Sequence, residues 1–461
     1  MSGATTPLDP GHREPTGSPE YDVIVVGAGI AGLSAAWLLR DRNVLLLERD
    51  DRVGGRILSM ARDPYWVNLG AHLVQLSGGP LVDYARALNV PLVVPKGSFA
   101  AVAMKGRIIR ADRPEVLPFR LPLPMAARAS LVRSGLRLRL ADRRLAKAHK
   151  AAEGRVDVLA IDEHYDQVTY AEVLGPLHPE VAALMRVTAN RLGTEPSMVS
   201  ADRGVSHTME TWASRRANVV GGTGALTTAM AAALGDRVRT SSGVQFITQT
   251  DGEVTGELDR PGRPERLTAA ACIVTVPAPI VREIVQGLTR AKSDALAQLP
   301  YGPYVTAGIF TNETGPMPWD DVYAVAAPGQ SFCMLFNPAN PYRTGPRRPG
   351  GSIVAYSAGD KAADQLSQSD AAITDQFLRD LYATLPAAKG IVREVVIKRW
   401  PLGVPLPQRG RARLQPALTA NHGRVYFAGD YLIDQGIDSA AWTAETAVNE
   451  VRTLLAGDLV H

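Results

Sequence analysis

Short apolar runs separated by glycine-rich turns dominate the beginning of the chain. Asp22–Val26 is a β-branched run typical of a buried strand, and apolar positions with helical spacing follow over Ala31–Arg40. Val44–Leu47 is a second run of buried-strand type, and it ends at Glu48. A strand, a helix and a strand within about thirty residues predict a βαβ unit and therefore a parallel sheet.

Similar elements recur later in the chain. The pattern predicts a helix over Ala225–Leu234, strands over Val238–Ile247, Ala271–Val276 and Arg424–Ala428, and a last helix over Ser439–Leu455 capped by Asp438 or Ser439. Two long segments of different character interrupt these elements. Residues 76–219 are rich in helix patterns and arginine, whereas 291–394 contain strand candidates at Thr306–Thr311, Ser331–Phe336 and Ser352–Tyr356.

Composition excludes several classes of protein. The 461 residues are 46% hydrophobic and 21% charged, which is typical of a globular protein, and two cysteines exclude a disulfide scaffold or an iron–sulfur cluster. The net charge is +4, the arginines are spread along the chain and aromatic residues are only 6%, so nucleic-acid binding is not favoured. No metal-binding pattern is present.

The chain shows no targeting or membrane-spanning pattern. Residues 1–20 lack the apolar stretch of a signal peptide and are predicted to be a disordered leader. No run reaches the roughly 18–20 apolar residues of a transmembrane helix. The cytoplasm is therefore the expected location.

A GxGxxG motif lies between the first strand and the first helix, at Gly27-Ala28-Gly29-Ile30-Ala31-Gly32. Glycine in this motif permits a tight turn, close approach of a pyrophosphate, and close helix–strand packing. The N–H groups at the start of the helix, including those of Ile30 and Ala31, favour phosphate binding. Glu48 is placed to accept hydrogen bonds from a ribose. These features predict a dinucleotide site.

Arg49-Asp-Asp-Arg-Val-Gly-Gly-Arg56 follows the ribose acid directly. This segment resembles the GG-Arg signature of the FAD-dependent amine oxidase superfamily, which includes monoamine oxidases, protoporphyrinogen oxidases and phytoene-type desaturases. The resemblance implies FAD, with Gly54, Gly55 and Arg56 against its pyrophosphate and flavin side and with Arg49 also at the cofactor. No cysteine or histidine stands at a known flavin-attachment site of the family, so we expect noncovalent FAD.

Further segments resemble the family in the same order along the chain. Asn68–His72 resembles the loop beside the flavin, where Gly70, Ala71 and His72 would contact it. Val244 matches the position at the adenine, and Thr275–Pro277 matches the strand end below the dinucleotide. Gly429 and Asp430 match the motif at the ribityl chain, and Ile437 matches the start of the last helix. The N-terminus of that helix would stabilise the negative charge of a reduced flavin ring.

The resemblance implies an α/β fold with two discontinuous domains. We expect a Rossmann-like FAD-binding domain of the GR2 flavoprotein type, formed by residues 21–75, 220–290 and 395–461. A second, α+β substrate domain would comprise residues 76–219 and 291–394.

The segment Arg399–Gly410 is most similar to protoporphyrinogen oxidases, in which Trp400 would pack near the flavin and shape the substrate face. Amine oxidases usually hold the amine between two aromatic rings, but the second of these positions falls at Gly436, so Trp400 is the one aromatic candidate. The family's lysine at the flavin would fall near Tyr304–Thr306, where the chain has none, which puts oxygen as acceptor in doubt.

Two features have more than one interpretation. His72 is a candidate general base or hydrogen-bond donor, or a residue of the pocket wall, which we favour. Met125–Arg155 is a basic amphipathic stretch, and it indicates a solvated helix face, a membrane-surface helix or the rim of an entrance for an anionic substrate. Peripheral membrane contact is not the favoured interpretation.

The predicted function is FAD-dependent transfer of a hydride from an amine or amide C–N bond of a small organic substrate to flavin N5, with oxygen as a possible acceptor. His72 and Trp400 are the catalytic candidates. Oxidation similar to that of protoporphyrinogen oxidases or desaturases, and FAD binding without turnover, remain alternatives, because the motifs bind a cofactor and do not prove catalysis.

Overall fold

The computed structural model describes residues 19–76, 78–97, 101–111, 113–151, 162–213, 215–259, 264–343 and 346–458. Its helices are α1 (Ile30–Leu38), α2 (Pro80–Ala87), α3 (Leu117–Arg120), α4 (Met125–Ala151), α5 (Glu163–Gln167), α6 (Tyr170–Leu174), α7 (Pro179–Arg191), α8 (Ala201–Ala213), α9 (Gly224–Leu234), α10 (Ala278–Ile284), α11 (Arg290–Ala297), α12 (Asp360–Leu366), α13 (Asp370–Thr384), α14 (Gln415–Thr419) and α15 (Ile437–Asp458). The leader predicted at residues 1–20 lies almost entirely outside the described residues.

The strands alternate with these helices along the chain. They are β1 (Tyr21–Val26), β2 (Val44–Leu47), β3 (Ser59–Arg62), β4 (Tyr65–Asn68), β5 (Val74–Gln75), β6 (Leu92–Val93), β7 (Ala101–Met104), β8 (Arg107–Ile109), β9 (Arg216–Val219), β10 (Val238–Arg239), β11 (Val244–Gln249), β12 (Val254–Leu258), β13 (Glu265–Val274), β14 (Tyr301–Thr311), β15 (Ala324–Ala326), β16 (Met334–Phe336), β17 (Gly351–Ala358), β18 (Val392–Pro405) and β19 (Val425–Phe427).

The first large sheet, sheet A, has the order β10-β2-β1-β13-β12-β11, with β19 also paired to β13. Strands β10, β2, β1, β13 and β19 run parallel to one another. Helices α1 and α9 pack on one face of these strands. Apolar residues on both faces of β1 and β2 are buried in two different cores. The predicted βαβ unit and parallel sheet are therefore confirmed.

The second large sheet, sheet B, has the order β18-β14-β17-β16-β15-β7-β8 and is antiparallel except for the pair β15 and β7. Helices α12 and α13 cover one face of it through the core around Phe377 and Ile373. Helices α4 to α8 form a separate apolar core. An α/β architecture with a second α+β region is observed, as expected from the sequence.

The division into two domains stays a prediction, and sheet pairing bears on one of its boundaries. The boundary at residue 395 lies inside β18, which pairs with β14 from Val392 to Pro405. Residues 395–405 therefore belong to sheet B and not to sheet A, because β18 stays paired with β14 up to Pro405.

Two local predictions differ from the structure. Val238–Ile247 is not one strand, because the chain turns after Arg239 and the N–H groups of Ser241 and Ser242 donate to the carbonyls of Asp50 and Glu48. Helix α15 begins at Ile437, so Asp438 and Ser439 lie in its first turn and neither is the N-cap.

Helix α4 covers most of the predicted amphipathic stretch. Its Leu131 and Leu145 are buried, whereas Leu136 and Leu140 are each more than half exposed. None of the helices in the described residues is both long enough and apolar enough to cross a membrane.

Candidate active site

The glycine motif forms a tight turn between β1 and α1. Gly27 has a φ of +100°, and a Cβ on Gly32 would lie 1.8 Å from the carbonyl oxygen of Gly27. Thr275 closes the turn from β13, because its hydroxyl donates to the carbonyls of Val26 and Gly27. The turn is thus fixed by contacts that exclude any side chain at Gly32.

The start of α1 has no side-chain cap within the described part of the chain. Gly29 is the N-cap, and among the described residues neither a side-chain cap nor an acid in the first turn satisfies the N–H groups of Ile30 and Ala31. A Cβ on Gly29 would meet nothing within 4 Å, so the backbone is open on that side. This geometry fits the pyrophosphate of a dinucleotide.

Glu48 lies at the end of β2 beside this turn. Its Oε2 accepts from the N–H of Ala28 at 2.7 Å, and its Oε1 accepts from the N–H of Asp50 at 2.9 Å. The turn after β10 brings Val244 to the same end of the sheet, whereas the side chain of Arg49 is 78% exposed. Glu48 and Val244 are thus placed where the sequence predicts ribose and adenine contacts, and contacts with the cofactor stay predictions.

Gly54 and Gly55 lie directly on the glycine turn. The N–H of Gly54 donates to the carbonyl of Ala28 at 2.8 Å, and a Cβ on Gly55 would lie 3.3 Å from the Cα of Gly29. The two glycine motifs therefore form one continuous backbone surface.

Arg56 and Asp430 form a bidentate ion pair, although 374 residues separate them. The guanidinium donates to the two carboxylate oxygens at 2.9 and 2.7 Å, and the side chain of Asp430 is only 7% exposed. Arg56 also donates to the carbonyl of Gly403. The sequence predicted both residues at the cofactor but not their pairing, which joins the GG-Arg segment to the strand β19 and to sheet B.

The loop Asn68–His72 connects the glycine motifs to sheet B. A Cβ on Gly70 would lie 2.0 Å from the carbonyl oxygen of Arg56, and the N–H of Ala71 donates to that same oxygen. Glycine at position 70 is therefore required by close contact with the Arg56 backbone. Ala71 itself is exposed.

Side chains on one face of sheet B hold this loop in place. The carbonyl of Leu69 accepts from the hydroxyl of Thr306 at 2.8 Å and from Nε1 of Trp400 at 2.6 Å. The hydroxyl of Tyr356 lies 2.6 Å from the carbonyl oxygen of Gly70 and 2.9 Å from Nδ1 of His72. Trp400 is thus held beside the loop by its indole N–H.

His72 lies among aromatic rings. Its ring centroid is 4.7 Å from that of Phe336 and 5.4 Å from that of Tyr356, and Tyr323 also contacts it. Burial lowers the pKa of His72 to about 3. Sequence reasoning missed these aromatic side chains and named Trp400 as the one aromatic candidate, because cross-strand neighbours cannot be read from local motifs.

A lysine is found on the strand next to the expected position. Lys398 of β18 is the cross-strand partner of Thr306 of β14, and its Nζ lies 4.9 Å from the centroid of the Trp400 ring. The absence of lysine from Tyr304–Thr306 therefore does not leave this face of sheet B without an amine.

The last helix begins close to this loop. Oδ2 of Asp438 accepts from the N–H of Gln75 at 3.2 Å, which ties the first turn of α15 to the strand that follows His72. Burial raises the pKa of Asp438 to about 6. Ile437 starts the helix as predicted and is buried, whereas Gly436 directly before it is exposed.

The family is settled by comparison with known proteins. The profile described as "Flavin containing amine oxidoreductase" matches residues 30–452. The chain belongs to this family. FAD is accordingly its cofactor, and the open backbone at Gly29 together with the uncapped start of α1 fits that group.

Individual relatives are more distant. The chain is 37% identical to "Amine oxidase [flavin-containing] B" of Sus scrofa over 110 residues, which are 23% of this chain and 20% of that protein. The match therefore spans about a fifth of the length of that relative.

Solved structures share the fold across almost the whole chain. Cyclohexylamine oxidase from Brevibacterium oxydans IH-35A has a TM-score of 0.76 at 20% identity, with 95% of this chain and 100% of that chain covered. Wild-type putrescine oxidase bound to putrescine has a TM-score of 0.74 at 20% identity, with 95% and 99% covered.

Alanine substitutions at Gly32 and Gly29 should have different effects, the first on the stability of the protein and the second on FAD affinity. Gly32→Ala forces a Cβ against the carbonyl of Gly27 and should destabilise the protein by about 2 kcal/mol. Gly29→Ala has open space for its Cβ and should leave the unfolding of flavin-free protein within about 0.5 kcal/mol of the parent. It should nevertheless weaken FAD binding by about tenfold, because the methyl group covers the phosphate-binding backbone. Urea unfolding and FAD titration separate the two, and equal destabilisation by both substitutions would contradict this account.

Removal of the Asp430 carboxylate should destabilise the fold. Asp430→Asn leaves the partly buried guanidinium of Arg56 without its counter-ion, and we expect a loss of about 3 kcal/mol in urea unfolding. Asp83→Asn is the matched control, because the ion pair of Asp83 with Arg86 is more than two-thirds exposed and its loss should cost less than about 0.5 kcal/mol. Equal effects of the two substitutions would show that the Arg56–Asp430 pair does not stabilise the fold.

Proposed function

We propose that this protein is an FAD-dependent amine oxidase that transfers a hydride from the carbon of a substrate C–N bond to the flavin. The observation that carries the proposal is the loop Asn68–His72. It lies on the backbone of the GG-Arg segment at Gly70, and it presents His72 to a group of aromatic side chains on sheet B. A cofactor bound at the glycine motifs would therefore extend towards these side chains.

The chain's own residues bind and orient in this proposal. Gly27, Gly29 and Gly32 with the start of α1 hold the phosphates, Glu48 accepts from the ribose, and the Arg56–Asp430 pair fixes the backbone between them. Bound flavin supplies the hydride acceptor, and its negative charge after reduction is favoured by the N-terminus of α15. We expect FAD to be held noncovalently, so that acid precipitation releases it into the supernatant.

His72 and Trp400 shape the substrate side. A histidine whose pKa is about 3 is neutral and a weak proton acceptor at neutral pH, so we assign His72 to the pocket wall. Trp400 is fixed by its hydrogen bond to Leu69, and its ring is a second wall. Buried aromatic and apolar neighbours exclude water from this space.

The electron acceptor is a further part of the proposal. Lys398 lies on the same face of sheet B as Thr306 and Trp400, and a cation at this position would favour reaction of reduced flavin with oxygen, as the resemblance to amine oxidases implies. Oxygen is therefore the proposed acceptor.

Anaerobic flavin reduction tests the function. The purified yellow protein should lose its flavin absorbance band when mixed with a suitable amine from a panel of amines and amino acids, and it should regain the band in air. Bleaching by porphyrinogen alone would replace the proposal with a protoporphyrinogen oxidase-like activity. A flavin that no donor reduces, although dithionite does, would indicate a protein that binds FAD without turnover.

One observation favours the protoporphyrinogen oxidase-like alternative. Helix α4 exposes Val132, Leu136 and Leu140 together with several arginines, which suits contact with an anionic membrane surface and with a lipophilic substrate. Sedimentation with anionic liposomes in low but not in high salt, together with bleaching by porphyrinogen, would support this second candidate.

The pH profile of flavin reduction tests the role of His72. Because burial keeps His72 neutral from pH 5 to pH 8, a His72→Gln variant should change the rate of reduction without moving the apparent pKa values of its pH profile. His164→Gln is a control on an exposed histidine and should change neither. Loss of one limb of the profile in His72→Gln alone would show instead that His72 is a general base.

A further inference from the structure

A group of basic side chains from α7, α8 and β9 lies close to His72. Arg191 ends α7, His207 lies on α8, and Arg216 begins β9, whose cross-strand partner is Gln75 of β5. The charges of Arg191 and Arg216 both lower the pKa of His72 and also that of His207. Arg191 and Arg216 therefore each lie near both histidines.

The arginines of this group differ in their partners. Arg203 pairs with Asp434, and Arg216 lies 3.7 Å from Glu210. Arg191 donates through Nη1 to the hydroxyl of Thr211 at 2.8 Å, and among the described residues no carboxylate lies within ion-pair distance of it. Arg191 is thus a cation without an ion pair among the described residues, and the charge of Glu210 is only the last of the causes that act on its pKa.

Arg191 is both partly accessible and poorly solvated. The residue keeps some accessible surface, yet burial is the largest cause that lowers the pKa of its guanidinium. The same combination holds for His72 and His207. A poorly solvated cation that keeps some accessible surface favours an anionic partner.

A second observation concerns the hydrogen bonds of the two histidines near Arg191. Nε2 of His207 is buried and has no hydrogen-bond partner among the described residues, and the same is true of Nε2 of His72. Buried polar atoms in folded proteins are normally hydrogen-bonded. The two imidazoles near Arg191 therefore each have one hydrogen-bonding position that no described residue fills.

The backbone of Arg191 contacts sheet B beside Trp400. The hydroxyl of Tyr304 donates to the carbonyl of Arg191 at 2.6 Å, and Tyr304 is the cross-strand partner of Trp400. The guanidinium is therefore carried on a backbone that is fixed to the same strands as Trp400 and Lys398.

We propose that Arg191 binds a carboxylate of the substrate, so that the amine oxidised by this protein is an amino carboxylate. This inference rests on the proposed function. Guanidinium and carboxylate match in geometry and can form two parallel hydrogen bonds. Arg216 adds positive charge on the same side, while its own acid, Glu210, lies at 3.7 Å.

A binding experiment on the FAD-loaded protein tests the proposal without turnover. Benzoate and benzamide have similar shapes but differ in charge, and each is titrated while the flavin absorbance spectrum and the Tm are followed. Benzoate should bind at least about tenfold more tightly than benzamide and should raise Tm at concentrations where benzamide does not.

Substitutions then identify the residue. Arg191→Gln should weaken benzoate binding by about tenfold to a hundredfold and leave benzamide binding unchanged, and Arg191→Lys should keep part of the preference. Arg186→Gln is the matched control, because Arg186 lies on the same helix, is exposed and pairs with Glu195. It should bind benzoate like the parent.

Several results would overturn the proposal. Equal affinity of the parent for benzoate and benzamide would do so even if Arg191→Gln failed to fold. Loss of FAD from Arg191→Gln, with benzoate binding kept in the remaining holoprotein, would place Arg191 at the cofactor instead. A benzoate preference that depends on Arg191 in a protein whose flavin no amine reduces would keep the anion site but refute the proposed function.

Discussion

The backbone of the loop Asn68–His72 is the constraint on which the arrangement of the site depends. Its Leu69 carbonyl accepts from Thr306 and Trp400, and Tyr356 lies within hydrogen-bond distance of Gly70 and His72. On its other side, Gly70 lies so close to the carbonyl of Arg56 that no Cβ fits. Because the loop contacts both sides, it fixes the glycine motifs of sheet A relative to the aromatic face of sheet B.

The ion pair of Arg56 and Asp430 acts on the same junction from another direction. It joins the GG-Arg segment to the residue that follows β19, and the contact of Arg56 with Gly403 adds β18. Buried charges of this kind are costly when unpaired, so the pair makes the arrangement specific as well as stable. The candidate cofactor site, or cofactor cradle, is consequently built from three distant parts of the chain.

The sequence predicted the cofactor elements well because their signals are local. The strand at Tyr21–Val26, the glycine turn, the strand at Val44–Leu47 and Glu48 follow each other within a short segment, and each residue has a role that its immediate neighbours define. The start of α15 at Ile437 was also predicted, although its capping residues were not, because Gly436 and not a polar side chain precedes the helix.

His72 and Trp400 were predicted as candidates, but the side chains around them were not, because these depend on cross-strand register and on contacts between distant elements. Lys398 is next to Thr306 only through the pairing of β14 with β18, and Tyr356 reaches His72 only through the pairing of β14 with β17. Arg191 lies in no recognisable sequence motif. Its lack of an ion pair among the described residues becomes visible only in the folded structure. A turn at Ser241 likewise divided a pattern that reads as one strand.

The most direct test of this account is a crystal structure of the protein with FAD and an amino carboxylate bound. We expect pyrophosphate density at Gly27–Gly32, the flavin ring along the loop Asn68–His72 and the ligand carboxylate at Arg191. A flavin ring that lies away from this loop would contradict the central claim that the loop joins the cofactor cradle to the substrate face.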